Sequence, residues 1–129
     1  MQPFDICKYK WRKDTYERIE GNFLYAMSRI EKLNDFLKSN PADSFVQHAL
    51  ALEYVKIGDD EKARELFEAI LQREPGYVGS YYHLAKLLER IGEIDEAVMV
   101  YKKGMTEAEK AGDTHAYGEL KSAYEELTF

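Results

Sequence analysis

The sequence predicts an all-α fold in which antiparallel helical hairpins stack side by side. Three observations predict it. A short pattern occurs twice at a period of 34 residues, apolar and small residues recur three and four positions apart, and a glycine followed by an acidic residue divides each copy. A fixed period of this length is typical of stacked helical hairpins. Arrays of this kind usually present a surface to a partner.

The helical spacing places helices at seven segments of the chain. These are 15–25, 26–39, 44–57, 60–73, 78–91, 94–110 and 114–127. We divide the chain into an N-terminal extension at 1–26 and a repeat domain at 27–129. The domain consists of a covering helix at 27–40, a first repeat at 44–77, a second repeat at 78–111 and a capping helix at 112–129.

Residues 1–26 differ from the rest of the chain because Lys8–Lys13 combines basic and aromatic side chains. Three interpretations are open: a docking arm for an acidic or nucleic-acid partner, an appended segment whose aromatic residues lie on the neighbouring helix, and a non-native extension before a true start at Met27. A short basic cluster is weak evidence for any of them.

The covering helix presents one apolar stripe and ends before Pro41. Its apolar residues recur at helical spacing: Met27, Ile30, Leu33 and Leu37. We expect this stripe to cover the open end of the first repeat. Two repeats alone are marginal, since about three are usually needed for stability. The flanking helices are therefore expected to be structural requirements.

The first repeat carries two apolar stripes with a turn between them. The stripes are Leu50, Ala51 and Tyr54, followed by Ala63, Phe67 and Ile70. Residues three and four apart share one face of a helix. Gly58 stands where the first helix must stop, because glycine tolerates the left-handed conformation that closes a helix. Asp59 or Asp60 then begins the second helix, where a carboxylate caps it.

The second repeat has the same features in the same order. They are Leu84, Ala85 and Leu88, then Gly92 with Glu93 or Asp95, then Ala97 and Tyr101. The alanines allow two helices to approach closely. Tyr81 is expected in the core, whereas Tyr82 is expected on the surface as a contact residue. Gly104 is expected at a close helix contact.

The capping helix has its own apolar stripe, formed by Tyr117, Leu120, Tyr124 and Leu127. It is expected to shield the second repeat. Gly118 lies inside this helix, where glycine costs about 1 kcal/mol relative to alanine. Either it breaks the final helix or it allows a tight crossing.

The repeated positions resemble the tetratricopeptide family, whose pattern is W-x2-L-G-x2-Y, then A-x3-F, then P. The first copy matches this pattern at Leu50-Ala51, Tyr54, Ala63, Phe67 and Pro75, with Gln47 at the tryptophan position. The second copy matches it at Tyr81, Leu84-Ala85, Leu88, Ala97 and Tyr101, with Glu109 in place of the closing proline. The resemblance covers residues 44 to about 110. It implies a right-handed superhelical array with a concave face lined by the first helix of each hairpin.

Carried over residue by residue, the resemblance predicts a partner-binding face. Its residues are Phe45, His48, Leu52 and Lys56 in the first repeat, and Gly79, Tyr82, Lys86 and Glu89 in the second. Members that bind the acidic tails of chaperones use lysines, an arginine and asparagines on this face. His48, Leu52, Gly79 and His83 occupy those positions here, so chaperone-tail binding is not expected. The mixed face suits an extended or helical peptide anchored by apolar contacts.

Composition narrows the classes of function further. The net charge of −6 argues against nucleic-acid binding and against docking on anionic membranes. No apolar run approaches the ~20 residues that span a bilayer. The N-terminus does not have the pattern of a secretory signal. The single cysteine, Cys7, cannot form an internal disulfide, which suits the cytoplasm.

The sequence offers no recognisable set of catalytic or metal-binding residues. His48, His83 and His115 lack ligands at the spacing of a compact zinc site. Cys7 has no defined base, and there is no nucleophile elbow, phosphate-binding loop or dinucleotide fingerprint. We therefore expect a non-catalytic adaptor or scaffold without cofactor or metal, binding a protein or peptide. The alternative is a self-assembly module, although a monomer is the stronger expectation because a helix is expected to cover each end of the array.

Overall fold

The computed structural model describes residues 13–129, with side chains from residue 21 onward, and this part of the chain is entirely helical apart from short turns. Its six helices are α1 Lys13–Ser39, α2 Ser44–Ile57, α3 Asp60–Arg73, α4 Gly79–Arg90, α5 Ile94–Ala111 and α6 Thr114–Thr128. The predicted all-α fold is therefore confirmed. Cys7 and the cluster beginning at Lys8 lie outside the described residues. None of the described helices is both long and apolar enough to cross a membrane.

The helices form two layers. α2 packs against α3 and α4 packs against α5, while α1 packs on α2 and α6 packs on α5. α4 also packs against α3, α2 and α6, and an ion pair between Arg64 and Glu96 joins α3 to α5. Because the backbones of α2, α4 and α6 approach one another more closely than those of α1, α3 and α5, the array curves with α2, α4 and α6 inside. The concave face of this helical-repeat solenoid is therefore formed by α2, α4 and α6.

The N-terminal helix differs from the expectation. Two helices were predicted at 15–25 and 26–39, but α1 is continuous from Lys13 to Ser39, so this prediction is wrong. Gly21 lies inside the helix, and the first proline after it is Pro41. Isolated glycine is a weak helix breaker. Ala26 and Ile30 are buried on the side that faces α2. No break in the helix marks residue 26, and the domain boundary there stays a prediction.

The turns inside the two hairpins are formed as predicted. Gly58 and Gly92 have φ angles of 83° and 87°, in the left-handed region that favours glycine. Each closes the helix before it. Asp59 then begins α3, and its side chain accepts a hydrogen bond from the backbone nitrogen of Lys62 at 3.3 Å. Glu93 occupies the same place before α5 without a side-chain hydrogen bond.

Two adjoining clusters of buried residues form the core, and they include the alanines and the aromatic residues predicted at helix contacts. The first consists of Ala51, Ala63, Phe67, Leu84, Leu87, Leu88 and Ala97. The second consists of Tyr81, Ala85, Tyr101, Ala108, Leu120 and Ala123. The second cluster joins α4, α5 and α6, so the capping helix shares the core of the second repeat. This agrees with the expectation that α6 shields that repeat.

Gly104 lies at a close helix contact, as predicted. A Cβ atom added there would lie 2.7 Å from Tyr81 Cβ, which is closer than real Cβ contacts, and 3.1 Å from Leu120 Cδ1, which is tight. Tyr81 is buried, and its hydroxyl donates a hydrogen bond to the carbonyl oxygen of Pro75 at 2.6 Å. The tyrosine at the tryptophan position of the repeat is therefore held by α5 on one side and by the preceding loop on the other.

Gln47, the departure from the repeat pattern, is buried in a hydrogen-bonded network. Its Nε2 donates to the Pro41 carbonyl at 3.1 Å, and its Oε1 accepts from Arg73 Nη2 at 2.7 Å. Arg73 Nη2 also donates to Ser44 Oγ at 2.6 Å, and the Ser44 hydroxyl donates to Glu74. Since buried polar groups are costly without partners, this network allows an amide at a position that is usually aromatic.

The two expectations for Gly118 are both wrong. α6 continues unbroken through this residue. A Cβ atom added there would meet no neighbouring atom of the described residues within 4 Å, so none of the described helices crosses tightly at this point. Packing within residues 13–129 therefore does not account for this glycine.

Candidate functional site

The concave face contains two adjoining cavities. The α4–α6 cavity has a volume of about 550 Å³ and is lined by Tyr82, Lys86, Thr114, His115, Gly118, Glu119, Ser122, Ala123 and Glu126. The central cavity has a volume of about 240 Å³ and is lined by His48, Val78, Gly79, Tyr82, His83, Ala116, Glu119 and Leu120. Tyr82 and Glu119 line both. The two cavities therefore form one groove across α2, α4 and α6.

Aromatic side chains make up the floor of the groove near its centre. The ring centroids of His48 and His83 lie 5.4 Å apart, and His83 stacks on the buried ring of Phe67 at 6.2 Å. Tyr82 meets His83 edge to face at 5.7 Å. His48 Nδ1 also lies 2.8 Å from Ser80 Oγ, a contact that links α2 to α4. This arrangement fixes the orientation of both imidazoles.

Both imidazoles are neutral near pH 7. Burial, with a smaller effect of nearby His83, lowers the pKa of His48 from 6.5 to about 4. Burial likewise lowers the pKa of His83, although the carboxylate of Glu119 acts in the opposite direction. A neutral imidazole has one nitrogen that donates and one that accepts a hydrogen bond. The groove floor therefore offers polar atoms without a fixed positive charge.

Lys86 and Glu89 are held by contacts inside the protein. Lys86 Nζ lies 5.8 Å from the centre of the Tyr82 ring and 3.8 Å from Glu89 Oε2. Glu89 also accepts a hydrogen bond from the Tyr101 hydroxyl. Burial and this bond together raise the pKa of Tyr101. Glu89 thus stabilises a core tyrosine, while Lys86 remains at the wall of the groove.

The structure brings together only part of the predicted binding face. His48, Gly79, Tyr82 and Lys86 line the groove. Leu52 packs against the first core cluster instead. Phe45 is 74% exposed and lies on the surface of α2 outside both cavities. Lys56 forms an ion pair with Glu53 at 3.0 Å and lines a separate cavity. The binding role of each predicted residue stays a prediction.

The separate cavity lies between α1 and α2 and has a volume of about 550 Å³. Its lining consists of Asn22, Phe23, Tyr25, Ala26, Glu53, Lys56 and Ile57. Glu53 is only 3% exposed and also pairs with Arg29 Nε at 3.5 Å. Phe23, Leu24, Tyr25 and Met27 are all more than two-fifths exposed beside it. The N-terminal end of the array is therefore apolar on its surface.

The sequence reasoning missed the contribution of α6 to the groove. Gly118, Glu119, Ser122 and Glu126 of this helix line the α4–α6 cavity. The segment was assigned only to capping. Two signals were present: a glycine inside an amphipathic helix, and polar residues at the three- and four-residue spacing of one helix face. Within residues 13–129 no three histidine, cysteine or carboxylate side chains are grouped so that they can hold a metal ion.

Comparison with known proteins identifies relatives of the same architecture. A family model described as "Tetratricopeptide repeat" matches residues 54–124. A TPR repeat-containing protein of Pseudomonas aeruginosa is 25% identical over 91 residues, which cover 70% of this chain and 87% of that protein.

Solved structures agree with this match. The solution structure of a tetratricopeptide repeat domain protein from Salinibacter ruber is 38% identical, with a TM-score of 0.65 over 67% of this chain and 88% of that chain. The TPR2B domain of yeast Sti1, solved in complex with pHsp70, superposes with a TM-score of 0.72 over 87% of this chain and 94% of that chain. At 14% identity the yeast structure shows the shared fold alone.

Proposed function

This chain belongs to the tetratricopeptide repeat family, a family of protein-interaction modules, and from that premise we propose that it binds a protein or peptide segment on its concave face. We propose further that it acts without catalysis, as an adaptor or scaffold in the cytoplasm. The observation that supports the site is the continuous groove across α2, α4 and α6, with Tyr82 at the junction of its two cavities.

The chemistry of the groove suits peptide recognition. Tyr82 provides a large contact area together with a hydrogen-bonding tip, the combination that is enriched at binding hot spots. His48 and His83 are neutral and provide polar atoms that fix orientation, while Lys86 adds one charge at the wall. The yeast Sti1 domain with the same fold was solved with a protein partner, which supports this type of role by analogy.

The test is capture from a lysate of the native organism, followed by titration calorimetry with the captured partner. Truncation of Tyr82 to alanine should weaken binding by about 2 kcal/mol or more if the residue is a central anchor. The melting temperature should change little, because Tyr82 is only partly buried. Glu65→Ala and Lys103→Ala, on exposed faces of α3 and α5, are the matched controls.

A second outcome concerns the predicted residues outside the groove. If the Phe45→Ala variant loses affinity as strongly as the Tyr82→Ala variant, the partner extends from the groove over the surface of α2. If a folded Phe45/Tyr82 double-alanine variant binds as tightly as the wild type, the concave-face proposal is wrong. The binding site would then lie elsewhere on the chain.

Self-assembly is the second candidate, and one specific observation favours it. The exposed apolar cluster at the start of the array comprises Phe23, Leu24, Tyr25 and Met27. Apolar clusters of this kind mark contact surfaces. We still propose a monomer, because the groove does not require a second copy. Light scattering after size exclusion distinguishes the two: a concentration-dependent dimer that disappears in a Leu24→Lys/Tyr25→Glu variant would support self-assembly.

A further inference from the structure

The α4–α6 cavity has a charge imbalance. Of the described lysines and arginines, Lys86 alone lines it, and this lysine pairs with Glu89 at 3.8 Å. Glu119 and Glu126 line the same cavity from α6. Among the residues that the structure describes, neither of these two glutamates pairs with a lysine or arginine. Glu119 lies 3.8 Å from His115 Nε2, and that imidazole carries a charge only when it is protonated.

The two glutamates also have a defined spacing. They are seven residues apart on α6, so they lie on the same face about two turns, or about 10 Å, apart. Ser122 lies between them, and Ala123 is beside it on the cavity wall. The acidic side chains therefore flank a stretch of small residues. This spacing places one negative charge at each end of a shallow channel.

Gly118 provides an independent observation at the same cavity. It occupies the interior of α6, where glycine weakens a helix relative to alanine. In the part of the chain that the structure describes, no neighbouring atom lies within 4 Å of an added Cβ, so the packing of that part does not require glycine here. Gly104, by contrast, is required by Tyr81. Glycine allows a backbone and a ligand to approach closely, and at Gly118 the missing side chain leaves the cavity wall open to such an approach.

From these features we infer that the α4–α6 cavity binds an extended protein segment with two basic side chains, lysine or arginine, three residues apart. This inference rests on the proposed concave-face function and specifies its partner. A polyproline-type segment rises 3.1 Å per residue with three residues per turn, so side chains three apart share a face at about 9 Å. That distance matches the two glutamates. The segment backbone passes over Gly118, and the aromatic ring of Tyr82 forms the opposite wall.

The charge of the cavity explains why a basic segment is favoured over an acidic one. Two glutamates facing an acidic segment would repel it, and Lys86, the cation on the opposite wall, lies beside a third carboxylate, that of Glu89. An exposed pair is screened by salt, so binding should weaken as ionic strength rises. The net charge of −6 adds a long-range attraction for basic partners.

The experiment is a selection of random 12-residue displayed peptides on the full-length protein, followed by anisotropy titrations of the enriched peptides. We expect the enriched peptides to carry two lysines or arginines three positions apart. Their Kd should rise about fivefold or more in a Glu119→Gln/Glu126→Gln variant. A Glu65→Gln/Glu68→Gln variant, altered on α3, is the matched control and should bind as the wild type does.

Gly118→Ala provides a second readout that a purely structural role would not give. Alanine should raise the melting temperature by about 3–5 °C, since it favours the helix and meets no neighbour. The same change should weaken binding of the enriched peptides, because the added methyl group occupies the channel. An alanine variant that is more stable and binds equally well would overturn the inference.

The other outcomes separate this inference from the proposed function. Enriched peptides that are neutral or acidic, and that bind the double glutamine variant unchanged, overturn the basic-partner inference. If a Tyr82→Ala variant still loses those peptides, the concave-face function stands. If Tyr82→Ala binds them equally well, the function fails too. A selection that yields no binder also overturns the inference, while calorimetry with the captured partner still tests the groove by itself.

Discussion

The two hairpins fill equivalent positions with different chemistry. In the second hairpin Tyr81 of α4 lies against Gly104 of α5. The residues 34 positions earlier are Gln47 of α2 and Ile70 of α3, and both are buried. In the second hairpin a large residue on the first helix is thus combined with a glycine on the second helix. In the first hairpin a smaller amide is combined with a bulky aliphatic residue. The side-chain volume is therefore divided differently between the two equivalent positions.

The two packing arrangements are also stabilised by different interactions. Tyr81 is stabilised by burial of its ring and by one hydrogen bond to Pro75. Gln47 is stabilised by hydrogen bonds to Pro41 and Arg73. Close packing therefore stabilises this position in the second hairpin, whereas hydrogen bonding stabilises it in the first. In this chain a departure from the repeat pattern at Gln47 is therefore accompanied by a different residue at the partner position, Ile70.

The largest loss of stability is expected at the positions where the two hairpins carry the same residue. Ala63 and Ala97 are both fully buried at the helix contacts of their hairpins. Glutamate at either position adds bulk and an unpaired buried charge, which should cost about 3–5 kcal/mol of unfolding free energy. Circular dichroism melting curves check this, with Ala69→Glu on the exposed face of α3 as control. A melting temperature within about 2 °C of the wild type would show that the packing assignment is wrong.

Truncation of Tyr81 or Gln47 to alanine should show how much each of the two arrangements contributes to stability. Tyr81→Ala should cost about 3–5 kcal/mol, because a large buried ring is replaced by a cavity. Gln47→Ala should cost about 1–3 kcal/mol, because Arg73 and the Pro41 carbonyl each lose a hydrogen-bond partner. Urea denaturation measures both. If Gln47→Ala lowered the free energy of unfolding more than Tyr81→Ala did, the hydrogen-bonded network would contribute more to stability than the packed tyrosine ring.

The glycine of the second hairpin gives a smaller effect of defined sign. Gly104→Ala should destabilise the protein by about 1–3 kcal/mol, because the methyl group meets Tyr81 Cβ at 2.7 Å and the helices must separate. The control is Gly118→Ala in α6, where nothing obstructs the methyl group and the change should stabilise by up to about 1 kcal/mol. Equal signs for the two variants in urea denaturation would contradict the assigned packing.

Local signals predicted most of the fold. Gly58 and Gly92 mark turns because the required backbone conformation is specific to glycine. Ala63 and Phe67 mark a packed face because their spacing matches the helical period. The continuity of α1 was not predicted, because the apolar stripe that begins at Met27 and the different composition of residues 1–26 suggested a boundary there, whereas the helix runs through it. A change in composition does not by itself end a helix.

The candidate site was predicted less completely, for a physical reason. The repeat frame placed His48 and Tyr82 on the concave face, since backbone geometry fixes that direction. It did not show that Glu89 bonds to Tyr101 or that Glu53 pairs with Arg29, because such contacts depend on side chains of other helices. The role of α6 in the groove depends on how the last helix docks. That docking is a tertiary feature that the period does not encode.

The smallest expected effect concerns the junction between the hairpins. His48 of the first hairpin contacts Ser80 of the second, and its pKa is lowered to about 4 from 6.5. A lowered folded-state pKa means that the unfolded chain binds the proton more readily, so this group stabilises the fold above pH 6.5 and loses that contribution as pH falls toward 4. His83, which faces it, has a lowered pKa and acts in the same direction.

The loss should be on the order of 1 kcal/mol, because the ring is only partly buried and water screens part of the penalty. Melting temperatures measured between pH 7 and pH 4 for the wild type and for His48→Gln test it. The glutamine variant should lose less stability over this range, whereas His115→Gln, at an exposed position, should follow the wild type. Parallel curves for wild type and His48→Gln would show that the junction is not pH-dependent. The polar character of the first hairpin would then rest on the Gln47 network alone.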